Sequence, residues 1–272
     1  MRIAFIGGGH MSTSLIGGLV RRGAEPATLV VSDPVPEQLQ RLARDFSVHG
    51  TADNNEAVRD ADLVVLAVKP QEMAHVARGI SRELASRRRI VVSIAAGLRL
   101  GDLGRWLGDG VPVVRAMPNR PALVGAGITA LYAGPDVTDA DRAAAEQIMA
   151  AVGETVWLED ESQMDVVTAV SGSGPAYFFL LIEALEAAGV EHGLSPPTAR
   201  RLAVATAQGA GRLAIESGEA PATLREQVTS KGGTTAAALE VLEASAVRAI
   251  FHHAVTAATR RSAELAGEFG GR

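Results

Sequence analysis

Three stretches of this chain concentrate residue types that an ordinary core or surface rarely gathers. Gly7-Gly8-Gly9-His10-Met11-Ser12 is a G-x-G-x-x-small pattern. In such a run the first glycine permits a tight turn and the second lets the backbone approach a pyrophosphate. A small residue at the third position lets helix and strand pack closely. The exposed N–H groups at the positive end of the helix would then hold the diphosphate. Ser12 stands where a third glycine is usual. The other two stretches, Val170–Tyr177 and Val228–Thr235, are rich in Gly, Ser and Thr, and each precedes a helical pattern. Free N–H groups and hydroxyls at such helix starts suit a small carboxylate. Taken singly, each is equally an ordinary helix–helix turn with N-caps.

The dinucleotide reading gains further candidates downstream. Ser32-Asp33 closes a second apolar run near the offset of ~20 residues at which an acidic side chain meets the adenosine ribose. A carboxylate there favours NAD, because it repels a 2′-phosphate. Ser32 and Asn54 or Asn55 are nevertheless able to donate hydrogen bonds to such a phosphate, so the choice stays open. We take NADPH as the expected coenzyme, with NADH as the alternative. Ala67-Val68-Lys69-Pro70 ends a third run, where ligands bind in open α/β sheets, and Lys69 is placed to meet a phosphate or hydroxyl. In the next run, the small residues of Ser93-Ile94-Ala95-Ala96-Gly97 allow a flat nicotinamide ring to lie against the backbone. Asn119, after Met117-Pro118, is read as free to bond a carboxamide or a substrate edge.

These residues need a scaffold, and the pattern of the chain supplies one. Strands are expected at 2–6, 28–32, 63–68, 90–94, 111–115, 127–131 and 155–158. Several are unbroken Val/Ile/Leu runs, as in strands covered on both faces. Helices are expected between them, at 10–22, 36–46, 55–60, 72–85, 100–107 and 139–151, the last opening on a Thr138/Asp141 capping pattern. Such alternation predicts a mainly parallel, doubly wound sheet. Beyond about residue 160 only helical periodicity remains, with helices expected at 163–170, 175–188, 196–217, 221–228, 235–243 and 247–266. Two domains are therefore expected, 1–160 binding the dinucleotide and 161–272 helical. The Ala-rich helix near 198–214 carries small residues on several faces, which points to packing against a second copy of the chain.

The bulk properties remove other chemistries. The 272 residues carry a formal net charge of −5, which argues against a nucleic-acid partner. The densest basic stretch, Arg87-Arg88-Arg89, is expected in a solvated turn. There is no cysteine, so thiolate catalysis, disulfides and Cys-based zinc sites are excluded, in keeping with a reducing cytoplasm. No uninterrupted apolar run approaches the roughly 18 residues of a membrane helix, so no membrane partner is expected. His252 and His253 diverge on a helix, while His49, His75 and His192 stand alone; no metal site is expected.

Taken together, the Gly7 fingerprint, Ala67–Pro70, Ser93–Gly97, Ser171–Tyr177 and Thr229–Leu239 resemble the Δ1-pyrroline-5-carboxylate reductase family over essentially the whole chain. The Gly-Gly-Thr-Thr loop with its Ala-rich helix is the most specific of these marks. The resemblance implies an α/β fold in which an N-terminal Rossmann-type doubly wound sheet is followed by a C-terminal all-helical dimerisation domain. It implies a cytoplasmic enzyme passing hydride from NAD(P)H to the imine carbon of 1-pyrroline-5-carboxylate, giving L-proline. It also implies a homodimer that assembles into a larger homo-oligomer, each active site being finished by a neighbouring subunit. By similarity, Gly7, Gly9, His10, Met11, Ser12, Ser32, Asp33, Asn54, Ala67, Val68, Lys69 and Pro70 carry the coenzyme, joined by Ile94, Ala95, Ala96 and Asn119 from the strand-end argument. Glu161, Ser230, Gly233, Thr234 and Thr235 would surround the substrate, with Thr235 the candidate to hydrogen-bond or protonate the imine nitrogen. Lys231 replaces a usual proline and Arg120 a common threonine. Two rivals remain: a hydroxyacid reductase using Lys231 as acid/base, and a nucleotide sensor without catalysis.

Overall fold

The structure, a computed structural model, describes residues 1–271. The chain divides into two compact units, one made of Met1–Gly172 together with the chain from Ala258 onward, the other of Ser173–Ala257. The division thus falls at Gly172, not near residue 160, and the first unit is discontinuous. Met164 and Ala169 are buried within it, and so are Ala266 and Phe269 near the C-terminal end.

The first unit is built on one eight-stranded sheet. Its strands are β1 (Ile3–Ile6), β2 (Leu29–Ser32), β3 (His49–Thr51), β4 (Leu63–Leu66), β5 (Ile90–Ser93), β6 (Val113–Pro118), β7 (Gly127–Ala133) and β8 (Gly153–Trp157). They lie in the order β3-β2-β1-β4-β5-β6-β7-β8, and only the β6–β7 pair is antiparallel. The first six strands follow the order of dinucleotide-binding sheets, with the topological switch between β1 and β4. Strand β3 is the element that sequence patterning misses. It is a three-residue edge whose one buried side chain, Thr51, gives no periodicity.

Alternation along the strands feeds two apolar layers. Ile3, Phe5, Val65 and Val92 point to one face, where Leu15, Ile16 and Leu19 of α1 (His10–Arg21), Leu42 of α2 (Pro36–Phe46) and Ile148 of the helix at Asp139–Met149 cover them. Ala4, Ile6, Val64, Leu66 and Val91 point to the other. That face is covered by α3 (Asn54–Arg59), α4 (Pro70–Ala85) and α5 (Leu100–Leu107) through Val58, Met73, Ile80 and Leu103, with Phe269 joining them. The helix at Asp139–Met149 is α6, and α7 spans Gln163–Val167. A π-helical turn, Thr168–Gly172, follows α7 where a regular helix end is expected.

Of the Arg87–Arg89 stretch, Arg87 and Arg88 are exposed as expected of a solvated turn, but Arg89 is not. Arg89 is 3% exposed and donates to the carbonyls of Glu83 and Arg59, closing the C-terminal ends of α4 and α3. Arg88 makes a paired contact with Asp141, its Nη1 lying 3.0 Å from Oδ1. Asp141 also caps α6 by accepting from the Thr138 N–H at 2.9 Å. The Arg88 guanidinium, ahead of the Thr138 contacts, holds the Asp141 carboxyl down at about 2. A depressed folded-state pKa adds stability that is complete above the unfolded value near 3.8 and is lost as pH falls toward 2. Asp141→Asn should cost about 2 kcal/mol at neutral pH and flatten the acid limb between those two values, read by denaturant melts across pH.

The second unit holds α8 (Gly174–Glu191), α9 (Pro196–Ser217), α10 (Pro221–Gln227), α11 (Thr234–Ala244) and the first turns of α12 (Val247–Gly270). Ser195 caps α9, with prolines at its first positions, as the sequence pattern implies. Helices α8 and α9 form a hairpin in which a Cβ on Gly189 would lie 3.2 Å from that of Ala199. An Arg200–Glu186 pair at 2.9 Å ties the two. Among the residues of this unit only Gly174, Ala199 and Ala203 are buried, while Phe178, Phe179 and Ile215 are 64%, 59% and 71% exposed. A helical layer this apolar without a buried core of its own is built to be covered. By length and composition alone, the helical stretch Gln163–Glu191 would suffice to cross a bilayer. Asp165, Glu183, Glu186 and Glu191 interrupt it, and we read it as an interhelical surface.

Candidate active site

The register sets the site. Thr51, Ser32, Ile6, Leu66, Ser93 and Arg115 pair in one row across β3, β2, β1, β4, β5 and β6. Ser32 lies in that row and the other coenzyme candidates of the first half follow it, beyond the carboxyl ends of the strands, where ligands of open α/β sheets bind. Backbone bonds lock the crest: Gly7 N–H donates to Ser32 O at 2.8 Å, Ala67 N–H to Ile6 O at 2.8 Å, and Ile94 N–H to Leu66 O at 3.1 Å.

The glycine turn matches the demands of a bound dinucleotide. Gly7 has φ +100, and a Cβ on it would lie 2.7 Å from the Ala67 carbonyl oxygen. A Cβ on Gly9 would meet nothing within 4 Å, so the second glycine faces open space at the start of α1. Gly9 is the N-cap of that 12-residue helix and no side chain caps it, leaving its first N–H groups for an anion. His10 is exposed and Met11 half-buried beside it. Ser12 does more than stay small: its buried hydroxyl donates to Gly7 O at 2.5 Å and closes the turn.

The adenosine end is more occupied than the sequence suggests. Asp33 accepts from Gly8 N–H at 2.7 Å through one carboxylate oxygen and from Val35 N–H at 2.9 Å through the other. Gln38 adds a bond to Gly8 O at 2.8 Å. Two backbone donors thus blunt the negative charge that would repel a 2′-phosphate. Ser32 donates to the Asn54 carbonyl oxygen at 2.7 Å, which leaves the Asn54 amide N–H groups as outward donors. Lys69 is exposed at the N-cap of α4. Ile94, Ala95 and Ala96 are half-buried on the turn after β5, preceded by Ser93, whose buried hydroxyl has no hydrogen-bond partner among the described residues.

Asn119 is not free. Its Oδ1 accepts from Ile128 N–H at 3.0 Å and its Nδ2 donates to Ser171 Oγ at 3.3 Å, with the residue 9% exposed. It pins the start of β7 to the π-turn, a long-range contact that local sequence does not reveal. Glu161 lies at the start of α5: its Oε1 accepts from Leu100 N–H at 2.6 Å and from Arg115 Nη1 at 2.8 Å. Arg115, which sequence analysis did not single out, is buried beneath it. These two residues help to line a polar cavity of about 300 Å³, together with Arg99, Asp160, Ser162 and Asp165. Hydrogen bonds from Ser162 hold the Asp160 carboxyl below the usual carboxylate range.

In the second unit the Val228–Thr235 segment forms a tight loop. Gly232 has φ +71, and Gly233 N–H donates to Ser230 O at 3.0 Å. A Cβ on Gly233 would lie 2.3 Å from Ser230 Oγ, so a side chain there would displace the Ser230 hydroxyl. Gly233 is the N-cap of the 11-residue α11 and no side chain caps it, so the N–H groups of Thr234 and Thr235 are left unpaired. Thr235 is half-buried, and Lys231 is exposed at the loop tip.

Known proteins match both halves. Residues 161–265 match the family model for pyrroline-5-carboxylate reductase dimerisation, and residues 2–97 match a model described as NADP oxidoreductase, coenzyme F420-dependent. A pyrroline-5-carboxylate reductase of Pseudomonas aeruginosa is 49% identical over 269 residues, which is 99% of this chain and 98% of that protein. The structure of a pyrroline-5-carboxylate reductase from Coxiella burnetii superposes with a TM-score of 0.94 at 40% identity, covering 97% and 98% of the two chains. The Plasmodium falciparum pyrroline carboxylate reductase, solved with NADP bound, gives 0.86 at 30% identity over 98% of each. With the dinucleotide crest, the glycine loop before α11 and likeness over the full length in agreement, this chain belongs to the pyrroline-5-carboxylate reductase family.

Proposed function

We propose that the crest from Gly7 to Ala96 holds NAD(P)H and that the Ser230–Thr235 loop holds the carboxylate of a cyclic imine. The chain is an NAD(P)H-dependent oxidoreductase acting on 1-pyrroline-5-carboxylate. The observation that carries the substrate side is the uncapped start of α11 behind a glycine whose missing Cβ leaves room for the Ser230 hydroxyl. A small carboxylate is the ligand such a helix end favours.

Held there, NAD(P)H would supply a hydride for the imine carbon and solvent a proton for the ring nitrogen, giving L-proline and NAD(P)+. The chain's own residues bind, orient and exclude water. Gly9 and the first N–H groups of α1 take the diphosphate; Ser32, Asp33 and Asn54 take the adenosine end; Ala67–Pro70 and Ile94–Ala96 line the path to the reactive ring. Ser230 and the N–H groups of Thr234 and Thr235, which follow Gly233, fix the carboxylate, and the Thr235 hydroxyl bonds the ring nitrogen. Holding both reactants at near-attack distance supplies much of the catalytic advantage. Glu161, with Arg115 and the first N–H of α5 on one oxygen, keeps its Oε2 for the substrate side.

The chain oligomerises through its helical half, where Phe178, Phe179 and Ile215 need cover. In our reading the partner is a second copy, dimers join into a larger ring, and the loop of one subunit serves the crest of another. We place the activity in the cytoplasm, in keeping with a chain without cysteine.

One assay tests the proposal: oxidation of NADPH and of NADH followed with 1-pyrroline-5-carboxylate and, in parallel, with a ketoacid. Oxidation with the imine alone, with L-proline accumulating, is expected. Turnover of the ketoacid would restore the hydroxyacid rival, and inertness toward both would restore the sensor.

A further inference from the structure

The turn after β5 rests on the far end of the last helix, and we propose that Phe269 of α12 positions the nicotinamide half of the coenzyme through that turn. The inference rests on the dinucleotide reading above. Gly97 lies in the left-handed region at φ +70, and a Cβ built on it would lie 3.4 Å from Cδ2 of Phe269 and 3.5 Å from Cβ of Leu265. The ring and Leu265 therefore lie close behind the turn, with room for no more than a methyl group between. Phe269 is 8% exposed and shares one apolar cluster with Leu98 and Leu103, the residues that carry the turn into α5.

The helix end is held in place. Arg105 donates to Gly270 O at 2.7 Å, and Ser262 donates to Asp165 Oδ1 at 2.6 Å. A Cβ on Gly270 would collide with the Asp102 carboxylate, so the chain there packs directly against that side chain of α5. The turn itself has a polar anchor at each end, Ile94 N–H on Leu66 O at 3.1 Å and Arg99 N–H on Asp102 Oδ2 at 3.4 Å. Between the two, Phe269 and Leu265 form its backing. Ala95 packs against the same cluster as Phe269, whereas Ile94 packs against the cluster on the other face of the sheet. A backing of this kind does not touch coenzyme; it fixes where the flat ring can lie. The adenosine end, held at β1 and β2, is independent of it.

The test separates positioning from folding. In Phe269→Ala, kcat should fall roughly 10–100-fold, the loss expected of an ångström-scale misplacement. The isotope effect from 4-deuterated NADPH should rise, because hydride transfer becomes slower than release. Binding of adenosine 2′,5′-bisphosphate should stay within about twofold of wild type, since that fragment reports only on the β1–β2 end. Hydrogen exchange over residues 94–98 of the coenzyme-free protein should accelerate. Phe269→Leu should recover most of the rate. Leu265→Ala, which keeps the ring, should show a weaker form of the same split and serves if Phe269→Ala does not fold. Folded variants with wild-type kcat, isotope effect and exchange overturn the proposal, and so does a parallel loss of fragment binding. If the wild-type protein fails to reduce the imine, the function falls first, while fragment binding and exchange still report on the backing.

Discussion

Gly9→Leu should yield a chain that melts like wild type and binds coenzyme far more weakly. A Cβ at this position meets no atom within 4 Å, so the fold has room for the new side chain. Its backbone, at φ −65 and ψ −173, suits any residue, so no strain arises either. The side chain instead fills the space in front of the uncapped N–H groups of α1, where a diphosphate must come to rest. Coenzyme affinity should drop by about a hundredfold or more, roughly 3 kcal/mol, read by titrating NADPH fluorescence. Gly7→Ala makes the opposite case. With φ +100 and a backbone oxygen 2.7 Å from the new Cβ, it damages the fold itself and lowers the melting temperature. Unchanged coenzyme affinity in Gly9→Leu would remove the glycine turn from the binding site, whatever the family likeness.

That contrast shows what local sequence carries. The role of each glycine follows from a spacing within one turn, and helices with proline starts or clear apolar stripes, such as Pro36–Phe46, Leu100–Leu107 and Pro196–Ser217, take the bounds that periodicity assigns. Partners far along the chain are not legible. Arg89 reads as one of three solvated cations until it is found plugging two helix ends contributed by α3 and α4. Asn119 reads as a free amide until Ile128 and Ser171 take both of its ends. Arg115 sits mid-strand and draws no notice, because its reason to be buried is Glu161, a residue of another segment. Strand β3 is too short for a period, and the return of α12 to the first unit depends on Phe269 finding Gly97, which no window of neighbouring residues encodes.

The substrate side offers the sharpest remaining test, because one hydroxyl can be removed there with almost no change in shape. Thr235 is the second residue of α11, behind an N-cap that contributes only backbone. The nearby Thr229 hydroxyl is spent on Arg225 O at 2.5 Å, whereas that of Thr235 has no protein partner among the described residues. Valine matches threonine in size and branching, so Thr235→Val should leave the melting temperature and coenzyme affinity close to wild type. Turnover should fall by roughly ten- to a thousandfold, the range of a group that bonds or relays a proton in the transition state. Serine, which restores the oxygen but not the methyl, should recover most of the rate. A threonine hydroxyl is a weak acid, so the larger share of the effect should come from orienting the ring nitrogen and a water beside it. An alternative in which Thr235 merely starts the helix predicts the reverse pattern: valine harmless to kcat, with any loss confined to stability. Measuring kcat, the melting temperature and NADPH affinity on the same two variants decides between them.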